Sequence, residues 1–243
     1  KYSLILPLAG LGSRFSNEGY KKPKPFIDVN GKPMINRVLE NLNFNLYSKI
    51  VLVIRSEFDK KFRSELKNIT EKYNCEIVSV PELTKGPAIT VLEGLKSVNL
   101  ENPLVVANTD QIVDDGVFQL ISSIDNNLCH GNIMCFQDLT KNPKWSFVKL
   151  DQENRIVETR EKVPISDLAT VGIYGFSKAS YCKDAIEEMV SNKELVNNEY
   201  YICPAYNYMI KKKMTVLPTI IKSSDMHGIG TPNDLENYLR IRS

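Results

Sequence analysis

Apolar residues fall along the first hundred positions in two alternating rhythms. Ser3 to Leu8, Lys49 to Ile54, Cys75 to Val80 and Pro103 to Ala107 are short, largely apolar runs bounded by polar or glycine- and proline-bearing segments. Such runs are the mark of strands buried on both faces. Between them apolar residues recur at helical spacing. Pro33 to Leu42 carries Met34, Ile35, Val38, Leu39 and Leu42. Glu57 to Lys72 carries Phe58, Phe62, Leu66 and Ile69, and Pro87 to Val98 carries Ile89, Val91, Leu92 and Leu95. Proline suits the first turn of a helix, where its missing N–H is not needed. The alternation predicts an α/β fold with a mostly parallel central sheet, helices on both faces and right-handed crossovers. Ligands then belong beyond the carboxyl ends of the strands.

From Gly131 the rhythm changes. Gly131 to Phe136, Trp145 to Leu150, Arg155 to Glu161 and Thr170 to Phe176 read as strands with no helix between them, which predicts antiparallel strands added to the sheet. Helices are expected over Ser177 to Ser191 and Asn198 to Lys213. A short strand follows over Met214 to Leu217, then a capped terminal helix from Thr231 to Leu239.

The 243 residues suit one sizeable domain, 1–243, and the apolar and charged fractions, 42% and 25%, are ordinary for a globular chain. A net charge of +2 gives no support for a nucleic-acid surface, and the one tight basic run, Lys211 to Lys213, reads as a solvated helix end. Five cysteines without a Cys-x-x-Cys pair, and only two histidines, lack zinc-ligand spacing. The odd cysteine count suits a reducing, cytoplasmic setting. The run Leu4 to Leu8 is far too short to cross a bilayer, so no membrane partner is expected. The sequence leaves a homo-oligomer open.

Chemistry concentrates on the loops. After the first strand come Leu8, Ala9, Gly10, Gly12, Ser13 and Arg14; Lys24 follows between two prolines. Glycine lets backbone approach a ligand closely, successive N–H groups form a nest for anions, and guanidinium grips phosphate oxygens in a fork. Gly10-Leu-Gly12 alone is equally a tight strand-to-helix turn. After the fourth strand come Asn108, Asp110 and Gln111, oxygen donors of the kind Mg²⁺ takes alongside substrate phosphates.

The apolar strand, Ala9-Gly10-Leu-Gly12-Ser13-Arg14, the spacing to Lys24-Pro25 and the run Ile27 to Met34 resemble the signature of the sugar-phosphate nucleotidylyltransferases. The resemblance covers nearly the whole chain. It implies a Rossmann-like fold with residues 1–110 as the nucleotide half and 111–243 as the acceptor half. It implies Arg14, Lys24 and Lys162 as catalytic cations, and Asp110 as a Mg²⁺ ligand. The loop Thr84, Gly86, Pro87, Ala88 would meet the base, but the glutamine that reads uracil or thymine is not evident. Gln111, Glu161, Lys162, Gly172, Glu199 and Tyr200 would line the acceptor side. A second metal aspartate is usual at 228; here Gly228 stands there, and Asp225, three positions earlier, is the substitute the sequence offers. His227 reads as a structural histidine.

The chain is most similar to small members serving capsule and surface polysaccharides. That likeness implies CTP as the nucleoside triphosphate and a phosphorylated small molecule, glutamine phosphate, as acceptor. A sugar 1-phosphate taken with UTP or dTTP is the main alternative. A nucleotide-sugar-dependent glycosyltransferase and a non-catalytic nucleotide sensor also stand. A dinucleotide oxidoreductase fits less well, since the third glycine is missing.

Overall fold

The computed structural model describes residues 1–242. The alternating half contains β1 (Tyr2–Pro7), α1 (Ser13–Asn17), the hairpin β2 (Asp28–Val29) and β3 (Lys32–Pro33), and α2 (Met34–Asn41). It continues through β4 (Tyr47–Arg55), α3 (Ser56–Lys61), α4 (Arg63–Tyr73), β5 (Cys75–Val80), α5 (Pro87–Leu95) and β6 (Leu104–Ala107). β1 pairs in parallel with β4 and β6, and β4 with β5. Successive β1 residues feed opposite faces: Leu4 and Leu6 enter one core and Ile5 the other. An unbroken apolar run is what such a strand requires. A methyl group at Gly94 would come 2.9 Å from Ile5 and Val53, so glycine lets α5 lie close on the sheet.

The second half adds β7 (Gln111–Val113), α6 (Phe118–Asp125), β8 (Gly131–Gln137), β9 (Ser146–Leu150), β10 (Ile156–Glu161) and β11 (Leu168–Phe176). After these come α7 (Ala179–Ser191), α8 (Ile202–Lys211), β12 (Val216–Ile221), β13 (Met226–Gly228) and α9 (Pro232–Ile241). β11 joins the halves. It runs antiparallel to β8 on one side and, on the other, to β6 along Ile173 to Phe176 and to β9 at Ala169, and is buried along its length. The main sheet runs β10-β9-β11-β6-β1-β4-β5, with β8 paired to β11 and β12 paired to β8.

Three sequence expectations shift. The helix expected from Glu57 breaks at Phe62, which leaves helical dihedrals (φ −119°, ψ 33°) and packs against Phe26 and Phe58. The helix expected from Asn198 starts at Ile202, because Asn197 and Asn198 are left-handed (φ 49° and 63°) and Glu199 bridges back to Val196. The strand expected over Met214 to Leu217 begins at Val216 and continues to Ile221, parallel to β8. Helix α6 and the ribbon of β7 with β13 were not expected at all.

Candidate active site

β1 delivers its loop to the carboxyl edge of the sheet. Leu8 N–H bonds the Val53 carbonyl (2.8 Å), and Ala9 turns into the core at 1% exposure. Gly12 is left-handed (φ 64°), and a methyl group on it would stand 3.2 Å from Lys24 Cβ. Glycine at 12 therefore lets the turn close on Lys24. Gly10 and Ser13 are exposed, as is Arg14, which lines a cavity of about 480 Å³. Lys24 lines a smaller one of about 140 Å³ with Gly10 and Gly12.

Between the two cavities, Lys24 Nζ meets Asp110 Oδ2 at 2.7 Å. Asp110 Oδ1 is buried without a partner among the described residues, and so is Gln111 Oε1. Both residues line the large cavity, as does Asn108. Asn108 N–H bonds the Gly172 carbonyl (2.8 Å), and a methyl group at Gly172 would collide with the Asn108 side chain at 2.5 Å. Gly172 thus makes room for Asn108 while forming part of the wall.

The opposite wall comes from β9, β10 and the segment before α8. Glu161 is buried; burial raises its carboxyl above the usual range, opposed by a hydrogen bond from Ser146 and by the charge of Lys162. Lys162 is left-handed (φ 58°), unusual for a lysine. Its N–H bonds the Trp145 carbonyl (3.0 Å), and its ammonium donates to Tyr201 Oη (2.6 Å) and lies 4.4 Å from that ring. Tyr201 in turn donates to Glu199 (2.6 Å).

Tyr200, expected at the acceptor, is buried and packs on the loop of residues 84–88 instead. Its N–H bonds the Lys85 carbonyl, and its carbonyl accepts from Ala88. A methyl group at Gly86 would stand 2.6 Å from that carbonyl oxygen. Thr84 Oγ1 is shared with Thr90 (2.6 Å). Of the four residues expected to meet a base, Pro87 alone lines the large cavity.

Asp225 does not join Asp110. β13 and β7 pair antiparallel: the Ile229 N–H bonds the Asp110 carbonyl (2.8 Å), whereas the Asp225 carbonyl accepts from Asp114, four positions further along. Four residues of extended chain separate the two acids by about 13 Å. His227 lies on the same ribbon, 3.1 Å from Asp114.

Sequence reasoning missed Trp145, Ser146, Tyr201, Lys144 and Asp234, all on the cavity wall. Trp145 is the only tryptophan, a signal that was available; Lys144 Nζ sits 4.5 Å from its ring.

The donor set suits magnesium. Among the described residues no group of three or more histidine, cysteine or acidic side chains could cage a metal. A carboxylate with one unpartnered buried oxygen, facing a cavity ringed by cations, suits an ion completed by phosphate and water.

A family model described as the MobA-like NTP transferase domain matches residues 4–143, more than half of the chain. The chain belongs to that family. This NTP transferase is 24% identical over 239 residues to the D-glycero-alpha-D-manno-heptose 1-phosphate guanylyltransferase of Campylobacter jejuni, with 97% of each chain covered. It is 26% identical to the bifunctional protein GlmU of Methanococcus maripaludis over 78% of its own length, but spans only 43% of that relative. A nucleoside-diphosphate-sugar pyrophosphorylase from Vibrio cholerae RC9 superposes with a TM-score of 0.86 at 26% identity, covering 98% and 99% of the two chains. The inositol-1-phosphate CTP transferase of T. maritima shares the fold, with a TM-score of 0.72 at 16% identity over 99% and 94%. Among the described residues no helix is long and apolar enough to cross a membrane.

Proposed function

We propose that this NTP transferase joins the nucleotidyl group of a nucleoside triphosphate to a phosphorylated small molecule and releases pyrophosphate. The observation that carries the reading is the Lys24–Asp110 pair, set between two cavities, with Arg14 and Lys162 on the walls of the larger. An oxygen of the acceptor phosphate attacks the α-phosphorus, and the bond from that phosphorus to the β-bridging oxygen breaks. The nucleophile is already anionic, so no base is required, and catalysis reduces to positioning and charge neutralisation. Arg14 holds the β- and γ-phosphates, Lys24 neutralises the α-phosphate, and Lys162 orients the acceptor phosphate. Asp110 would hold Mg²⁺, which when bound screens charge on the phosphate oxygens.

CTP is the favoured nucleotide, and glutamine phosphate for capsule synthesis the favoured acceptor, on the resemblance to capsule and surface-polysaccharide members. A second reading, a sugar 1-phosphate as acceptor, draws support from the heptose 1-phosphate guanylyltransferase that matches end to end. Pyrophosphate release across CTP, UTP, dTTP and GTP, each with glutamine phosphate or a sugar 1-phosphate, separates them. Release with UTP or dTTP but not CTP rejects the cytidylyl assignment. Sugar transfer from a nucleotide sugar without pyrophosphate indicates a glycosyltransferase. Tight binding without any product indicates a sensor.

A further inference from the structure

The segment Gly228–Ile229–Gly230 passes beside two carboxylates. Ile229 is fully buried in the core, so alternation along extended chain turns positions 228 and 230 the other way, into the large cavity that both line. A methyl group at 230 would stand 2.8 Å from Asp110 Oδ2. One at 228 would stand 3.8 Å from Asp234 Cγ and 3.9 Å from its Oδ2. Asp110 and Asp234 therefore lie on one side of the same short segment, against positions about 7 Å apart.

Asp234 does not spend its carboxylate on its own helix. The cap of α9 is Thr231, whose hydroxyl accepts the Asp234 N–H (3.1 Å). The cation nearest the carboxylate, Lys144, is 3.7 Å away, too far for a hydrogen bond. Position 228 offers no ligand, and Asp225 sits at the far end of the ribbon.

We propose that Asp234 is the second protein carboxylate on the divalent cation anchored by Asp110, reaching it from α9 across the space that glycine at 228 leaves open. Two carboxylates completed by phosphate and water is a coordination magnesium favours. The nucleotidyltransferase reading is needed only for the phosphates. Until a cation arrives, Lys144 balances Asp234.

Mn²⁺ binding to the full chain, measured by paramagnetic resonance alone and with CTP, tests the assignment. The fluorescence of Trp145 reports nucleotide entry independently. Asp110→Asn and Asp234→Asn are each expected to weaken Mn²⁺ binding about tenfold or more. Asp225→Asn leaves it unchanged. Adding Gly228→Asp to Asp234→Asn restores binding, because a side chain at 228 meets only ordinary contacts and points at the same space. Melting without metal shows that each variant folds. Equal Mn²⁺ binding by wild type and Asp234→Asn overturns the assignment and leaves the transferase reading intact. A wild-type chain that binds Mn²⁺ neither alone nor with CTP also overturns the assignment, whereas one whose Trp145 signal responds to none of the four triphosphates overturns the transferase reading.

Discussion

The ammonium of Lys24 rests 2.7 Å from a carboxylate oxygen of Asp110, 86 positions later in the chain. The two loops that carry them follow β1 and β6, neighbours in the sheet, so the pairing is a consequence of strand order. Without a nucleotide the two charges neutralise one another. On the proposed reading, a triphosphate with its metal would give each a new partner, the phosphate for Lys24 and the cation for Asp110.

Lys24→Ala is accordingly expected to lower turnover about a hundredfold, as for loss of a charge-stabilising donor. Stability should fall by about 1–3 kcal/mol, because the mostly buried Asp110 carboxylate loses its one side-chain partner among the described residues. Pyrophosphate release and thermal melting check the two halves. Undiminished turnover in a folded variant removes Lys24 from the mechanism.

Tyr201 connects Lys162 to Glu199 through its hydroxyl while its ring lies 4.4 Å from the lysine ammonium. Tyr201→Phe keeps the ring and loses the hydroxyl. The KM for the phosphorylated acceptor should rise about tenfold, the worth of a hydrogen bond to a charged group, while the KM for the nucleotide stays put. Steady-state kinetics with each substrate varied in turn decides it; equal changes in both constants would mark Tyr201 as merely structural.

Glu161 makes stability depend on pH in a fixed direction. Burial raises its carboxyl in the folded chain, so the folded state holds a proton that the unfolded chain has already released. Its contribution is greatest at acid pH and declines as pH climbs from the usual carboxylate value through the raised folded one. Glu161→Gln should flatten that decline in urea unfolding followed across pH. A variant as pH-sensitive as the parent contradicts the assignment.

Gly86→Ala should destabilise the chain by about 2 kcal/mol or more, since φ is 104° there and the new methyl would meet backbone atoms of Tyr200 at 2.6 and 2.7 Å. Backbone cannot step aside as a flexible side-chain tip can. Urea unfolding measures the loss; an unchanged midpoint would mean that the 199–201 segment moves freely from the loop of residues 84–88.

Much of the frame was legible in the chain. Leu4, Ile5 and Leu6 are all apolar because each face of β1 is covered, and periodicity registers that directly. The tight turn through Gly10 and Gly12 was likewise visible, since glycine before Ser13-Arg14 is what close backbone approach needs. Less visible was α6, whose Leu120, Ile121 and Ile124 make only a short apolar stripe. The ribbon of β7 and β13 was invisible, because three-residue strands carry no period to detect.

Local sequence determined the strand-and-helix alternation, the glycine turn and the cations trailing it, since these depend on residues a few positions apart and on covering both faces of a sheet. Tertiary structure alone decided which acid lies beside Gly228. Asp225 is nearer in sequence to position 228 than Asp234 is, yet antiparallel register carries it away along the ribbon, while the turn into α9 brings Asp234 back beside Gly228. Proximity there is set by pairing and chain reversal, which no linear spacing encodes.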